Sequence, residues 1–235
     1  MSNTHLNRTK ILACATVIEE MLPIMPPDVD YEVLAFGLHL IPENLKKALQ
    51  EAIDRDSPNY DTIILGYGLC SMAVVGLHAD HSTLVVPKVD DCIALFLGSR
   101  KMYDEMARKE PGTYYLTKGW IAVGDTILTE YERTIQKYGA ERGGRIMSKM
   151  FARYKRLIYI DTGHADQEQY IAYAQRAAST LNLRFEEMKG SNTLVKKMLC
   201  GPWDDEFVVA APGETITYRS FTSADGHLST GMPNA

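Results

Sequence analysis

The chain has 235 residues, 46% of them apolar and 23% charged, which is ordinary for a globular protein long enough to fold without disulfides or a structural metal. Its 25 basic and 30 acidic residues give a net charge of −5, which argues against a general nucleic-acid or anionic-membrane binder. No apolar run approaches the ~20 residues of a membrane-spanning helix.

The opening ten residues, MSNTHLNRTK, lack the apolar stretch of a secretory signal, and the expectation is a cytoplasmic protein. Residues 10–16 (KILACAT) form a first short apolar run, and residues 31–36 (YEVLAF) a strand. Residues 42–54 place Leu45, Leu49 and Ile53 at i, i+4 and i+8 behind Pro42, the pattern of an amphipathic helix with proline in its first turn. Residues 61–67 (DTIILGY) and 83–86 (TLVV) are unbroken apolar and β-branched runs, as strands buried on both faces should be. A short helix is expected over 70–77 and a longer one over 92–108, ended by Pro111 and Gly112. Thr113–Leu116 reads as a weaker strand. The polar stretch 124–155 reads as two helices broken at Gly143 and Gly144. Arg156–Asp161 is a strand, 167–181 a helix, 184–188 a strand, 192–200 a helix and Phe207–Ala210 the last buried strand.

This alternation predicts an α/β fold, with a mostly parallel, Rossmann-like sheet flanked by helices. No Pro/Gly/Ser linker divides the chain. The expected organisation is therefore one domain over 1–219, with a helical insertion at about 124–155 and a flexible tail over 220–235.

Three of the four cysteines share one address. Cys14 ends the first apolar run, Cys70 follows DTIILGYGL and Cys92 follows TLVVPKVDD. Each sits at or just past the C-terminal end of an expected strand, where the next helix begins. In an open parallel sheet these ends line one edge, and ligand sites form in the crevice there. A buried cysteine also serves as a small apolar filler, and no CxxC pair singles out a metal. Cys200, at a helix end, reads as structural.

His39 occupies a similar edge position after the second strand, and His164 follows another strand end. His78 and His81 flank Asp80 ahead of a strand and read as a solvated turn. Three thiolates with one imidazole suit tetrahedral zinc. Three thiolates alone suit an iron–sulfur cluster with one open iron, or zinc with an exchangeable position. Asp90 and Asp91 precede Cys92 and would hinder a metal-free thiolate nucleophile by repulsion. They also fit as helix N-caps or as acceptors behind a metal ligand.

Gly66 and Gly68 lie in the turn GYGLC. This is neither GxGxxG, because residue 71 is Ser, nor a phosphate-binding GxxxxGK[ST] loop. The two glycines fit a tight turn or a close backbone approach to a bound cofactor, and with Asp91 they are the candidate cofactor-binding residues. Asp161-Thr162-Gly163 is a single triplet, so the paired carboxylates of an aspartic protease are missing. GxSxG and HExxH are absent as well.

The segments LAC (12–14), LH…P…L (38–45), YGLC (67–70), DDCIALFLGSR (90–100), PGTYYLTKGW (111–120) and YIDTG (159–163) together resemble an uncharacterised family of bacterial and archaeal proteins. That family is often encoded near corrinoid-dependent methyltransferase systems. The resemblance implies cysteines at 14, 70 and 92 and a histidine at 39 as the shared pattern, with Cys200 outside it. It implies methyl-group or one-carbon metabolism as the setting, and a corrinoid protein or methyltransferase as a partner, beside a small-molecule substrate. The corrinoid signature DxHxxG is absent, since Ala165 and Asp166 follow His164. The expectation is a metal-binding protein with Cys14, Cys70, Cys92 and His39 as ligands and zinc, or an iron–sulfur cluster, as the cofactor. Zinc would activate a thiol for methyl transfer. The alternative is a non-catalytic accessory or carrier for a methyltransferase system.

Overall fold

A computed structural model describes residues 8–70, 72–124 and 126–222 of the chain. These residues divide into two compact units, one comprising 8–100 and 192–222 and the other 101–191.

The first unit contains β1 (Thr9–Cys14), α1 (Ala15–Met21), β2 (Asp30–Leu34), α2 (Pro42–Asp56), β3 (Thr62–Gly66), β4 (Thr83–Pro87) and α3 (Cys92–Leu97). Its five-stranded sheet has the order β2-β1-β3-β4-β8, where β8 is Phe207–Ala210. The ladders from β2 to β4 are parallel, and β8 joins β4 antiparallel, Leu84 opposite Ala210. The central strands are apolar on both faces because helices flank the sheet. Ile11, Leu12, Ile63, Ile64, Leu84 and Val85 have no exposed surface. Helix α2 forms where the stripe predicts it and buries Leu45, Leu49, Ala52 and Ile53. Each large side chain of that stripe is worth about 1.5–3 kcal/mol of burial. On the same unit Lys10 bridges Asp56 at 2.7 Å and Glu32 at 3.1 Å.

The second unit holds α4 (Arg100–Lys109, whose first residue closes the first unit), β5 (Thr113–Leu116), α5 (Lys118–Val123), α6 (Ile127–Tyr138), α7 (Ala140–Met150), β6 (Arg156–Asp161), α8 (Gln167–Thr180) and β7 (Arg184–Lys189). Its sheet is fully parallel, in the order β5-β6-β7. Leu116, Leu157 and Tyr159 pack against Ala174, Ala177 and Ala178 of α8. The chain then returns to the first unit through α9 (Thr193–Cys200) and β8.

The α/β expectation holds: every ladder among the described residues is parallel except β4–β8. Several local expectations need correction. Residues 72–76 form turns rather than a helix, because Cys70, Met72 and Gly76 all take left-handed backbone, with φ of 43°, 76° and 91°. The helix expected over 92–108 is two, because Gly98 (φ 74°) closes α3 and a new helix starts at Arg100. The break between α6 and α7 falls at Gly139, not at Gly143 and Gly144, which lie inside α7. A Cβ at Gly143 would stand 3.0 Å from the Ile135 backbone, so this glycine lets the two helices close on each other. Helix α5, capped by Thr117 through the Trp120 N–H, carries no clear sequence signal. Of the stretch expected to be a loose tail, Ser220 and Phe221 belong to a 3-10 turn with Phe221 buried. Residues 223–235 lie outside the described residues.

Candidate functional site

The strand order of the first unit places a topological switch between β1 and β3, since the chain moves from β1 outward to β2 and then returns to the other side of β1. Such a switch opens a crevice at the C-terminal strand ends. Four chain segments arrive at that edge, each from the end of a different parallel strand.

Cys14 is the last residue of β1, paired with Leu34 of β2, and stands at the N-cap of α1 with 2% of its surface exposed. Tyr67 follows β3 directly, one residue beyond the Ala13–Gly66 pair of the β1–β3 ladder. Its turn then runs against the segment after β4. The Leu69 N–H donates to the Val89 carbonyl at 2.9 Å, and the Cys70 N–H to the Asp90 carbonyl at 3.1 Å. Asp91 caps α3 by accepting the Ile93 N–H at 2.8 Å, which sets Cys92 as the first helical residue. Asp90 lies 3.9 Å from Arg100. His39 comes from the 3-10 turn Phe36–Leu40 after β2, and its ring centre is 5.6 Å from that of Tyr67, tilted by 33°.

Gly66 and Gly68 make this convergence possible through packing. A Cβ at Gly66 would meet the Ala13 Cβ at 2.6 Å, so glycine there lets β3 close on β1. A Cβ at Gly68 would meet the Val89 carbonyl oxygen at 2.6 Å and the Asp91 nitrogen at 3.0 Å. The close approach expected of these glycines is made to neighbouring chain.

The electrostatics tie the segments together. Burial pushes the Cys14 thiol up, while the N–H groups of Val17 and Thr16 and the Thr16 hydroxyl act the other way. Cys70 is pushed up to about 12, first by burial and then by charge at Cys14 and Asp91. Cys92 is raised well above the ordinary thiol value by burial, then by Cys14, Asp91 and Cys70. Although Cys70 and Cys92 keep some surface exposure, enough protein surrounds them for burial to dominate. Charge at Cys14 and at Asp91 thus acts on both of these thiols in the same direction as burial. Among the described residues, no group of three or more His, Cys, Asp or Glu side chains is arranged to hold a metal ion.

Sequence reasoning missed Tyr67. The residue is 1% exposed, and its hydroxyl is buried with no hydrogen-bond partner among the described residues. Its ionisation is disfavoured by burial and then by charge at Cys14, Cys70 and Cys92. The available signal was a phenol directly after the run TIILG and before the glycine–cysteine turn. Cys70 carries a further mark, a left-handed φ of 43°. For a non-glycine residue that costs on the order of 1–2 kcal/mol, and such strain gathers at functional sites.

The remaining sequence candidates lie elsewhere. Cys200 is exposed at the end of α9. His164 belongs to the second unit, its Nδ1 3.5 Å from Lys118 Nζ. The His78 backbone exchanges hydrogen bonds with the Gln50 side chain, and the His81 N–H donates to Ser57 Oγ. No helix among the described residues is long and apolar enough to cross a membrane.

A family model described as "Protein of unknown function (DUF1638)" matches residues 33–199, most of the chain. The chain belongs to the DUF1638 family. The match takes in His39, Cys70 and Cys92, and with them the turns that meet at Gly68. Cys14 precedes the span matched by the DUF1638 model, and Cys200 follows it. No curated protein and no solved structure matches the chain.

Proposed function

We propose that the chain is a metal-binding protein whose centre lies at the C-terminal edge of the five-stranded sheet, with Cys14, Cys70 and Cys92 as thiolate ligands, His39 as the fourth ligand and zinc as the metal. The observation that supports this reading is the placement of Cys14 at the end of β1, Cys70 in the turn after β3 and Cys92 at the start of α3 after β4, along one edge of the parallel sheet. A packing explanation accounts for a single buried cysteine. It does not by itself account for three at one sheet edge, one of which, Cys70, is held in a left-handed conformation.

Soft sulfur ligands with one imidazole are a zinc set, and sulfur is ionised when it coordinates. A dication at this edge would reverse the effect of burial on the thiols. The Cys70 and Cys92 turns, already tied through Leu69 and Cys70 to Val89 and Asp90, would present two of the ligands together.

The best-supported activity is binding and activation of a small thiol substrate for methyl transfer. Zinc supplies Lewis acidity that keeps a bound thiol ionised near neutral pH. His39, half-buried at the margin of the site, is the ligand suited to give way to such a substrate. The setting in methyl-group or one-carbon metabolism rests on the family resemblance, as does a corrinoid protein or methyltransferase as partner. A second reading follows from the cysteine count. Cys200 is exposed on α9, so the site has three cysteines, the number that leaves one iron of a four-iron cluster open to substrate. In that reading, or as an accessory carrier for a methyltransferase, the same residues hold the group.

Anaerobic purification followed by elemental analysis and an absorption spectrum tests these readings. About one zinc per chain in a colourless protein is the expected result. A brown protein absorbing near ~400 nm assigns the site to an iron–sulfur cluster. A protein that carries neither metal and takes up neither on reconstitution refutes the proposal.

A further inference from the structure

The second unit has a strand edge of its own that the metal reading does not use. Its three strands are parallel, so the ends of β5 and β6 lie side by side, and ligand sites in parallel sheets form outside such ends. Lys118 opens α5 two residues after β5, and His164 lies three residues after β6. Both are half-buried, and Lys118 Nζ stands 3.5 Å from His164 Nδ1. The two residues are 46 positions apart in the chain, so the sheet brings them together.

A lysine ammonium carries donors and no acceptor. In this contact it donates, Nδ1 accepts, and the proton of a neutral imidazole sits on Nε2, which is then a second donor. At 3.5 Å the hydrogen bond between them is long and weak, and a protonated ring would repel the ammonium. The pair gains little from itself, whereas a negative acceptor is attracted by both members.

Two further donors lie on the same turn. Thr162 Oγ1 and Gln167 Nε2 are buried with no hydrogen-bond partner among the described residues. They flank His164, two residues before it and three after. Gln167 opens α8, and its Oε1 accepts the Tyr159 hydroxyl of β6, which leaves the amide N–H groups over. Asp161 Oδ1 shapes the turn by accepting the Gly163 N–H at 2.8 Å. Asp166 and Glu168, the next carboxylates along the chain, are exposed, where water screens them.

All four side chains offer donors, and leaving a buried donor unmade is costly. A ligand with hydroxyl or amide groups would bring donors of its own. A carboxylate or a phosphate group brings only acceptors, with a negative charge. We propose that Lys118, Thr162, His164 and Gln167 form a binding site for such an oxyanion at the C-terminal edge of the β5-β6-β7 sheet. This assignment does not depend on the metal-centre reading.

The test is titration of the full chain with inorganic phosphate and, separately, with acetate, followed by NMR of the histidine rings. The ring signal of His164 should move saturably. Lys118→Met should weaken binding about tenfold, the loss of one charge-assisted hydrogen bond. Thr162→Val should weaken it several-fold. Lys149→Met, exposed on α7, should bind as the wild type does. Tighter binding of phosphate assigns the site to a phosphate group, and tighter binding of acetate to a carboxylate. No saturable shift of His164 with either ion overturns the proposal, as does equal affinity in Lys118→Met and Lys149→Met. Should Lys118→Met fail to fold, the wild-type titration and unchanged affinity in Thr162→Val still decide against it.

Discussion

Gly68 lies against the Val89 carbonyl with no room for a methyl group between them, since a Cβ at residue 68 would come within 2.6 Å of that oxygen. This contact seats the turn carrying Cys70 on the turn carrying Cys92. The Leu69–Val89 and Cys70–Asp90 hydrogen bonds, at 2.9 and 3.1 Å, depend on it.

Gly68→Ala is therefore expected to push the two turns apart. Backbone atoms on both sides cannot yield as a flexible side chain would, so the stability loss should be about 1–3 kcal/mol. Metal uptake should fall as well. Thermal melting and elemental analysis of the same preparation check both. Gly144→Ala is the control: it is helical and has nothing within 4 Å of a new Cβ, so it should gain about 0.5–1 kcal/mol.

The ligand assignment makes a prediction for each cysteine. Cys14→Ser, Cys70→Ser and Cys92→Ser should each lose most bound metal, while Cys200→Ser, exposed at the end of α9, should keep it. His39→Ala should weaken binding yet retain some metal, because three thiolates can hold an ion with water in the remaining position. Equal metal content across the four cysteine variants would remove the site.

Chelation under reducing conditions should leave the protein folded. The strand core of Ile11, Leu12, Ile63, Ile64 and Leu84 is fully buried without help from the cysteines, and a chain of this size has apolar surface enough to fold without metal. Circular dichroism should show retained helix and strand with a cooperative melt. Any loosening should be confined to residues 66–70 and 90–92. Global unfolding would mean that metal binding and folding are one event, as in a structural zinc site, and the substrate role would be abandoned.

A separate expectation concerns acid stability. Burial by itself would raise the Asp56 carboxyl, but hydrogen bonds from Arg55 and Lys10 outweigh it and hold the group below the usual carboxylate value. A depressed folded pKa stabilises above the unfolded value of about 3.9 and is lost as pH falls through the folded value. Asp56→Asn should thus cost about 1.5–3 kcal/mol at pH 7. The difference from wild type should shrink below pH ~4 and vanish once both forms are neutral. Urea melts across that range measure it, and a difference that stays constant with pH would contradict the role given to the pair.

The strands were legible because those buried on both faces are written as unbroken apolar runs, and β3, β4 and β6 fall where TIILG, TLVVP and RLIYID place them; FVVA forms β8, but at the sheet edge with Val209 exposed rather than buried on both faces. The stripe of α2 was legible for the same local reason. The shared address of Cys14, Cys70 and Cys92 at strand ends followed from those strands alone. Less legible were the turns. A helix over 70–77 looked reasonable because sequence spacing does not report that Cys70 and Met72 take positive φ.

By itself, then, the sequence determined the α/β class, most strand positions and the residues that belong to one sheet edge. These depend on local periodicity and burial, which each segment carries in its own side chains. The tertiary structure alone decided the order β2-β1-β3-β4-β8, with β8 antiparallel and the switch between β1 and β3. It alone showed Gly68 seating one cysteine turn on another, and the Tyr67 ring set against His39 from the turn after β2. Those features are set by hydrogen bonds and contacts between segments far apart in the chain. Whether a glycine after a strand only turns the chain or seats a second segment depends on what other strands bring to it, and no local pattern encodes that.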